Sequence, residues 1–236
     1  MDRRAFLRTM RILERRYTVK DWTTGMSPFE VLISTILSQS TTAANERRGL
    51  EDLRRRVGAI TPERLADIPD EEISGAIWHA GLARQKAPRI RATAAAIRDK
   101  WEGRIERILA LPTERAQEEL MALPGVGPKT ADVVLAMAGG RPTFPVDTHI
   151  ARIAHRWELT RREDYESIRR ALEDRTPPEK RKTWHLAIIA HGRALCKARN
   201  PRCADCPVRA DCDWYRRSRL RKQPPTPRKH SSSTKG

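Results

Sequence analysis

The chain has 236 residues, of which 33% are charged and 39% are hydrophobic, and its formal net charge at pH 7 is +17. This length suffices for one large domain or two smaller ones, and the positive charge favours a polyanionic partner, either nucleic acid or an anionic membrane surface. No apolar run approaches the roughly 18 residues that a membrane span needs, and the N-terminus lacks the apolar core of a signal peptide, so we expect an intracellular protein.

Helix signals follow one another along almost the whole chain. The segment Ser27–Glu30 has the form of a capping box with proline at the first helical position, and it opens an apolar segment that ends at Leu37. Because this segment is apolar on almost every face, it predicts a buried central helix. A second capping box is predicted at Thr160–Glu163, and Gly192 is predicted to end a helix over 178–191. No convincing alternation of apolar and polar residues is found, so the fold class is predicted to be all-α.

The most distinctive segment is Leu123–Ala131, which reads Leu-Pro-Gly-Val-Gly-Pro-Lys-Thr-Ala. It predicts a helix end, a tight turn and a new helix start. Gly125 and Gly127 allow positive φ and carry no side chain, so consecutive backbone N–H groups can point outward beside the positive end of the second helix. Such a hairpin binds a phosphate without reading its base, although an ordinary helical hairpin with a glycine cap has a similar pattern. The spacing does not match the P-loop.

Lys129 and Asp147 lie at the starts of two consecutive predicted helices. At Lys129, the helix N-terminus and neighbouring basic groups should lower the pKa of the amine. A neutral amine can attack an electrophilic sugar carbon and form a Schiff base, whereas a charged one would only bind phosphate. Asp147 is positioned to cap the helix 148–157. His149 could contact a phosphate from the same helix start or make a structural hydrogen bond.

All four cysteines lie in one short segment, with the spacing Cys196-x6-Cys203-x2-Cys206-x5-Cys212. Clustered cysteines in a chain that otherwise has none favour a metal or cluster site over a disulfide framework. The segment contains only one close Cys-x2-Cys pair, whereas structural zinc usually uses two, and the spacing also differs from the ferredoxin patterns. On this chemistry alone, an iron–sulfur cluster and a four-cysteine zinc site both stay open.

The segment Leu123–Ala131, together with Val146–His149, resembles the helix-hairpin-helix DNA glycosylases, and most closely the endonuclease III family. The resemblance covers roughly residues 25–212. The cysteine spacing also resembles the [4Fe–4S] loop of this family and of the adenine-mismatch glycosylases, so it implies a [4Fe–4S] cluster as cofactor. The implied cluster ligands are Cys196, Cys203, Cys206 and Cys212.

The resemblance implies roles for individual residues. Lys129 matches the nucleophile that attacks C1′ of a damaged nucleotide, displaces the base and leaves an imine that undergoes β-elimination. Asp147 matches the carboxylate that supports loss of the base. Gln39 matches the glutamine that enters the space vacated by the flipped nucleotide, and Leu82 matches a leucine wedge beside the estranged base. Without the resemblance, these two would be read as a polar contact at a helix end and a core leucine. The other residues predicted to contact DNA are Gly125, Val126, Gly127, Thr130 and His149.

These features predict a bifunctional DNA glycosylase and abasic-site lyase of base excision repair, which removes damaged, chiefly oxidised, pyrimidines from duplex DNA. A mismatch glycosylase of the same superfamily, acting on thymine or uracil opposite guanine or on adenine, is the first alternative. A non-catalytic DNA-binding protein is the second. The expected partner is double-stranded DNA with a damaged base or an abasic site, bound by a monomer. In a prokaryote the protein would be cytoplasmic and associated with the nucleoid.

The resemblance also implies a domain organisation. The two ends of the chain, 1–24 and 144–214, are expected to form an iron–sulfur cluster domain. Residues 25–143 are expected to form an inserted helical domain that carries the helix-hairpin-helix at about 113–139. The last segment, 215–236, is basic, has no acidic residue and is interrupted by proline, serine and threonine. It is therefore predicted to be a disordered basic tail that attracts phosphates.

Overall fold

The structure is a computed structural model that describes residues 1–18 and 20–220. Within these residues the fold is all-α, as predicted, and no strand is present. No helix among them is long and apolar enough to cross a membrane. In chain order, helices α1 to α13 span Arg3–Arg16, Pro28–Leu37, Ala43–Val57, Pro62–Asp67, Asp70–Ala76, Ala83–Trp101, Ile105–Leu109, Thr113–Met121, Pro128–Met137, Thr148–Arg156, Tyr165–Glu173, Arg181–Ala194 and Asp213–Leu220.

Helix α2 begins at the predicted capping box. The Ser27 hydroxyl accepts a hydrogen bond from the Glu30 backbone N–H at 3.2 Å, and the Glu30 carboxylate accepts one from the Ser27 N–H at 2.8 Å. Two otherwise unpaired donors of the helix start are thereby satisfied. From Phe29 to Leu37, every residue except Glu30 is buried, and α3, α6 and α9 pack around the helix. The predicted buried central helix is confirmed.

Two hydrophobic clusters form the cores of the molecule. The first contains buried residues of 29–135, and the second joins α1 to buried residues of 144–212. A smaller cluster contains Val133 and Met137 of α9, and Leu186 of α12 packs against it. Helix α9 therefore packs against both parts of the structure, and Lys129 is in the first turn of this helix.

The segment 141–147, which leads from α9 to α10, is held by side chains of α11 and α12. The Phe144 N–H donates to the Glu173 carboxylate at 3.0 Å, and Nδ1 of His185 lies 2.9 Å from the Pro145 carbonyl oxygen. Because a carbonyl can only accept, this imidazole nitrogen carries the proton. The backbone that ends at the predicted catalytic aspartate is thus fixed from α11 and α12.

The capping box predicted at Thr160 is wrong. The Thr160 hydroxyl instead accepts a hydrogen bond from the Arg162 N–H at 3.1 Å in a turn. Helix α11 begins later, at Tyr165, where the Asp164 carboxylate accepts from the Ser167 N–H at 2.8 Å. The aspartate supplies a strong cap of its own, so the threonine is left to form the preceding turn.

Gly192 does not end a helix, because α12 continues through it to Ala194. A Cβ at Gly192 would lie 3.0 Å from the Cβ of His149 in α10. The glycine therefore serves the close approach of two helices, and the prediction of a terminator is wrong.

The predicted disordered tail is also wrong for 215–220, because α13 spans Asp213–Leu220. The N-terminal amine forms an ion pair with Asp213 at 2.7 Å, and Arg217 forms one with Glu158 at 2.6 Å. These contacts with distant parts of the chain hold the start of the predicted tail in a helix. The rest of that prediction, 221–236, lies outside the described residues.

Candidate active site

The turn between α8 and α9 is the predicted hairpin, and its two glycines serve different purposes. Gly125 has φ +77°, and a Cβ there would lie 3.0 Å from the side chain of Arg89, so a residue without a side chain is required. Gly127 has an extended backbone with φ −98°. A Cβ at Gly127 would meet nothing within 4 Å, so the space above its backbone is open to a ligand.

The carbonyl groups of the hairpin are bound to neighbouring side chains. The Thr93 hydroxyl donates to the Pro124 carbonyl at 2.7 Å, and the Gln39 amide donates to the Gly125 carbonyl at 3.0 Å. No side chain of the described residues caps the N-terminus of α9. The first backbone N–H groups of this helix are therefore free to donate hydrogen bonds at its positive end. This arrangement can bind a phosphate group without contact to a base.

The other residues predicted to contact DNA differ in accessibility. Val126 and Thr130 are buried, so their contacts with DNA stay predictions. Gln39 is partly buried, and its amide also lies 3.3 Å from the Thr130 hydroxyl. Leu82 is 48% exposed, and its backbone is left-handed, with φ 52° and ψ 29°. That conformation costs a leucine roughly 1–2 kcal/mol, and such strain is typical of functional sites.

Lys129 is partly buried in the first turn of α9. Burial lowers the pKa of its amine, while the carboxylates of Asp147 and Glu46 act in the opposite direction. The predicted direction of the pKa shift is confirmed, but the neighbouring charged groups are acidic rather than basic, so that part of the predicted cause is wrong. A lowered pKa increases the neutral fraction of the amine near neutral pH, and only the neutral amine is a nucleophile.

Asp147 caps α10 as predicted. Its Oδ1 accepts a hydrogen bond from the Ile150 N–H at 2.8 Å, which fixes the carboxylate at the helix start. His149 is partly buried, and its Nδ1 accepts from the Arg152 guanidinium at 2.9 Å. Burial lowers the pKa of the His149 imidazole. The structural hydrogen bond considered for His149 is thus the one with Arg152, and contact of His149 with a phosphate stays a prediction.

Glu46 is a carboxylate near Lys129 that the sequence pattern did not indicate. It is buried in α3 and accepts a hydrogen bond from the Ser34 hydroxyl of α2 at 2.6 Å. Burial raises the pKa of Glu46. Glu46 occurs among arginines and asparagine in a helix rich in charged residues, so only the packing of α3 on α2 shows that it faces inward.

Asp132 and Tyr165 connect the helix of Lys129 to the segment that precedes Asp147. The Tyr165 hydroxyl donates to the buried Asp132 carboxylate at 2.6 Å and accepts from the Val146 N–H at 3.4 Å. Burial raises the pKa of Asp132 to about 6. One sequence signal was available for Asp132: it is a carboxylate followed by a run of apolar residues, three residues after Lys129 and hence on the same face.

The four cysteines line one cavity, together with Arg156, His191 and Trp214. Burial, together with the charges of the other three cysteines, raises the pKa of the Cys206 thiol to about 11. Four thiolates could not ionise together here without a positive centre among them, which is what a metal cluster supplies. Four thiols around one cavity are a donor set that fits a [4Fe–4S] cluster, and a four-cysteine zinc site would use the same donors.

The cysteine segment also supports α10, the helix that Asp147 caps. Arg152 of α10 donates to the Cys196 carbonyl at 3.0 Å. One turn further, the Arg156 guanidinium donates to Sγ of Cys196 at 3.0 Å and to the Lys197 carbonyl at 2.9 Å. A cluster bound to these cysteines would hold α10, and with it the aspartate, in place.

Replacing Cys203 by serine is expected to prevent cluster assembly, because an alcohol at neutral pH is a far poorer iron ligand than a thiolate. Iron and acid-labile sulfide, measured on anaerobically purified protein, should fall close to zero, and the yellow-brown colour should be lost. Arg199→Ser is the matched control, since Arg199 is exposed in the same segment and should leave the iron content unchanged. Stoichiometric zinc in the wild-type protein would contradict this account.

The fold and the site define a class of DNA repair protein. The model of the HhH-GPD superfamily of base excision DNA repair proteins matches residues 33–178, and the model of the iron–sulfur binding domain of endonuclease III matches residues 196–212. The chain belongs to the HhH-GPD superfamily.

Within this superfamily the similarity is to endonuclease III. The chain is 35% identical to endonuclease III of Thermotoga maritima over 190 residues, which cover 80% of this chain and 84% of the relative. It is 35% identical to endonuclease III of Escherichia coli K12 over 188 residues, with the same coverage. A trapped endonuclease III–DNA covalent intermediate, in an estranged-adenine complex, superimposes with a TM-score of 0.81 at 30% identity, covering 93% of this chain and 99% of that one.

The predicted family, enzyme class and cofactor are confirmed. The chain is a bifunctional enzyme of base excision repair, a DNA glycosylase with abasic-site lyase activity, and it carries a [4Fe–4S] cluster. Its macromolecular partner is DNA. A non-catalytic DNA-binding protein is thereby excluded.

Proposed function

We propose that Lys129 is the nucleophile and Asp147 the supporting carboxylate of this reaction, and that the substrates are chiefly oxidised pyrimidines in duplex DNA. The observation that carries the proposal is the placement of Lys129. Burial lowers the pKa of its amine, and the Asp147 carboxylate interacts electrostatically with it. Lys129 also lies in the first turn of α9, whose free N–H groups can bind the DNA backbone. The base is reached after the nucleotide leaves the stack.

In the proposed chemistry, the Lys129 amine acts first as the nucleophile and then as the nitrogen of the imine. The lone pair of Lys129 Nζ attacks C1′, and the glycosidic bond breaks with its electron pair leaving on the base. Nζ gives up its two protons, one to the departing base and one to the ring oxygen O4′, as the C1′–O4′ bond breaks and an imine forms. Water then takes up a C2′ proton, the C3′–O bond breaks with its electron pair leaving on the 3′-phosphate, and hydrolysis of the conjugated imine releases the lysine. The fixed carboxylate of Asp147 stabilises the positive charge that develops on the sugar as the base departs.

The remaining predicted residues serve the DNA. The hairpin backbone at Gly125–Gly127 and the start of α9 bind a phosphate on the damaged strand. Leu82 lies beside the estranged base, and its exposure and strained backbone support this role. Gln39 enters the vacated space. To do so, its amide must give up the hydrogen bond to the Gly125 carbonyl and form one with the edge of a base. His149 adds a phosphate contact at the start of α10.

The two hydrophobic cores support a division into two domains, 1–24 with 144–214 and 25–143. The reacting nucleotide would be held between them by a monomer. The net charge of +17 supports binding along the DNA backbone and, in a prokaryotic cell, a cytoplasmic enzyme associated with the nucleoid.

The substrate assignment is tested with duplexes that contain thymine glycol, dihydrouracil, uracil, 8-oxoguanine or a G·T mismatch. We expect the two oxidised or reduced pyrimidines to be cleaved at least about ten-fold faster than the others, which is discrimination that a shaped pocket can provide. Strand cleavage is measured under single turnover, with an undamaged duplex as control. Preferential cleavage at uracil or G·T would favour the mismatch-specific alternative instead.

A further inference from the structure

Lys86, in the first turn of α6, is a buried cation without an acidic partner. It is 1% exposed, and its Nζ donates hydrogen bonds to two backbone carbonyls, that of Leu37 at 2.6 Å and that of Ala80 at 2.9 Å. Among the described residues, no carboxylate lies within ion-pair distance of this ammonium group. Burial lowers the pKa of Lys86 to about 8.

Stability alone does not account for a lysine at this position. Removing an ammonium group from water is unfavourable, and a well-packed apolar residue of similar volume would avoid that cost. The two carbonyls compensate part of it, because Leu37 is the last residue of α2 and Ala80 ends a short 3-10 helix. Both belong to helix ends whose carbonyls lack intrahelical donors and carry partial negative charge.

Each of the two carbonyls lies two residues before one of the residues proposed to enter the duplex. Leu37 precedes Gln39 by two residues, and Ala80 precedes Leu82 by two residues. These two segments are far apart in the sequence, and Lys86 is hydrogen-bonded to both. Its side chain therefore links the backbone just before Gln39 to the backbone just before Leu82.

We infer that Lys86 is a positioning residue that fixes the separation of Gln39 and Leu82, so that both enter the duplex together when a nucleotide is flipped out. The inference rests on the proposed roles of these two residues. Without the hydrogen bonds of Lys86, the segments of Gln39 and Leu82 would each have to reach the inserted position independently. The conformational entropy lost in ordering both segments would then oppose binding of DNA with its nucleotide flipped out. Duplex DNA requires this insertion, whereas an abasic site in a single strand does not.

The test compares the same abasic site in duplex and in single-stranded DNA. Lys86→Met keeps most of the length of the side chain and removes its hydrogen-bond donors. We expect this variant to lose roughly 10- to 100-fold in kcat/KM for strand cleavage on the duplex, as displaced positioning groups generally do. Cleavage of the single strand should change less than about two-fold, since the nucleophile is untouched. That retained activity also shows that the variant is folded.

A second variant and a second readout separate positioning from general stability. Lys86→Arg keeps a cation with several donors and is expected to recover most of the duplex activity. In duplexes with 2-aminopurine opposite the abasic site, wild type and Lys86→Arg should raise the fluorescence on binding, because insertion unstacks the probe. Lys86→Met should give a smaller rise at saturating protein. Equal loss on both DNA forms, or an unchanged fluorescence rise, would overturn the inference.

Gln39→Ala and Leu82→Ala in the same assay distinguish failure of the inference from failure of the proposed function. Each should lower the ratio of duplex to single-strand cleavage. If neither does, the proposed insertion roles are wrong and the inference falls with them. If both do while Lys86→Met keeps the wild-type ratio, the insertion roles stand and Lys86 does not position them.

Discussion

Replacing Lys129 by glutamine is expected to abolish borohydride trapping of the protein on abasic DNA and to lower strand cleavage by at least about 10³-fold. Glutamine preserves most of the length and the polarity of this partly buried side chain, but the lone pair of its amide nitrogen is delocalised and cannot attack a sugar carbon. Trapping is measured as a covalent protein–DNA band after reduction, on a duplex that contains a single abasic site.

Lys100→Gln is the matched control. Lys100 is an exposed lysine that pairs with Glu119 at 2.6 Å on the surface of the same half of the molecule. Its replacement should leave trapping at the wild-type level, and the Lys129→Gln protein should still bind the abasic duplex. Undiminished trapping by Lys129→Gln would mean that another amine is the nucleophile.

Replacing Asp147 by asparagine is expected to slow base removal by about 10²- to 10⁴-fold, because the negative charge that stabilises the developing sugar cation is lost. Asparagine can still accept the hydrogen bond from the Ile150 N–H, so the start of α10 should be preserved. The effect on Lys129 has a definite sign. Since the Asp147 carboxylate raises the pKa of Lys129, its removal should lower that pKa and shift the acid limb of trapping to lower pH.

Glu46→Gln provides the comparison, because Glu46 also raises the pKa of Lys129. The glutamine should retain the hydrogen bond with the Ser34 hydroxyl and shift the acid limb in the same direction, with base removal close to wild type. Initial rates of trapping on a preformed abasic site are measured between about pH 5 and pH 9, which brackets the range where a lowered lysine pKa acts. A shift to higher pH in either variant would contradict the assigned electrostatics.

The sequence by itself determined the features that depend on neighbours in the chain. The capping box at Ser27–Glu30, the cap at Asp147 and the turn at Gly125 each use residues within a few positions of one another, so their residue types predict their geometry. The spacing of the four cysteines alone left iron–sulfur and zinc open. The hairpin and cysteine patterns together resembled one family, and that resemblance implied the [4Fe–4S] cluster and selected Lys129 as the candidate nucleophile.

Only the tertiary structure decided which distant polar groups meet. Glu46 acts on Lys129, and Lys86 joins the segments of Gln39 and Leu82. Both are charged side chains in arginine-rich helices, where a single sequence favours solvent exposure. The cause of the lowered Lys129 pKa was missed for the same reason. Burial and the approach of carboxylates depend on how α2, α3 and α9 pack, and the free energy of such contacts is set by residues far apart in the chain rather than by any local pattern.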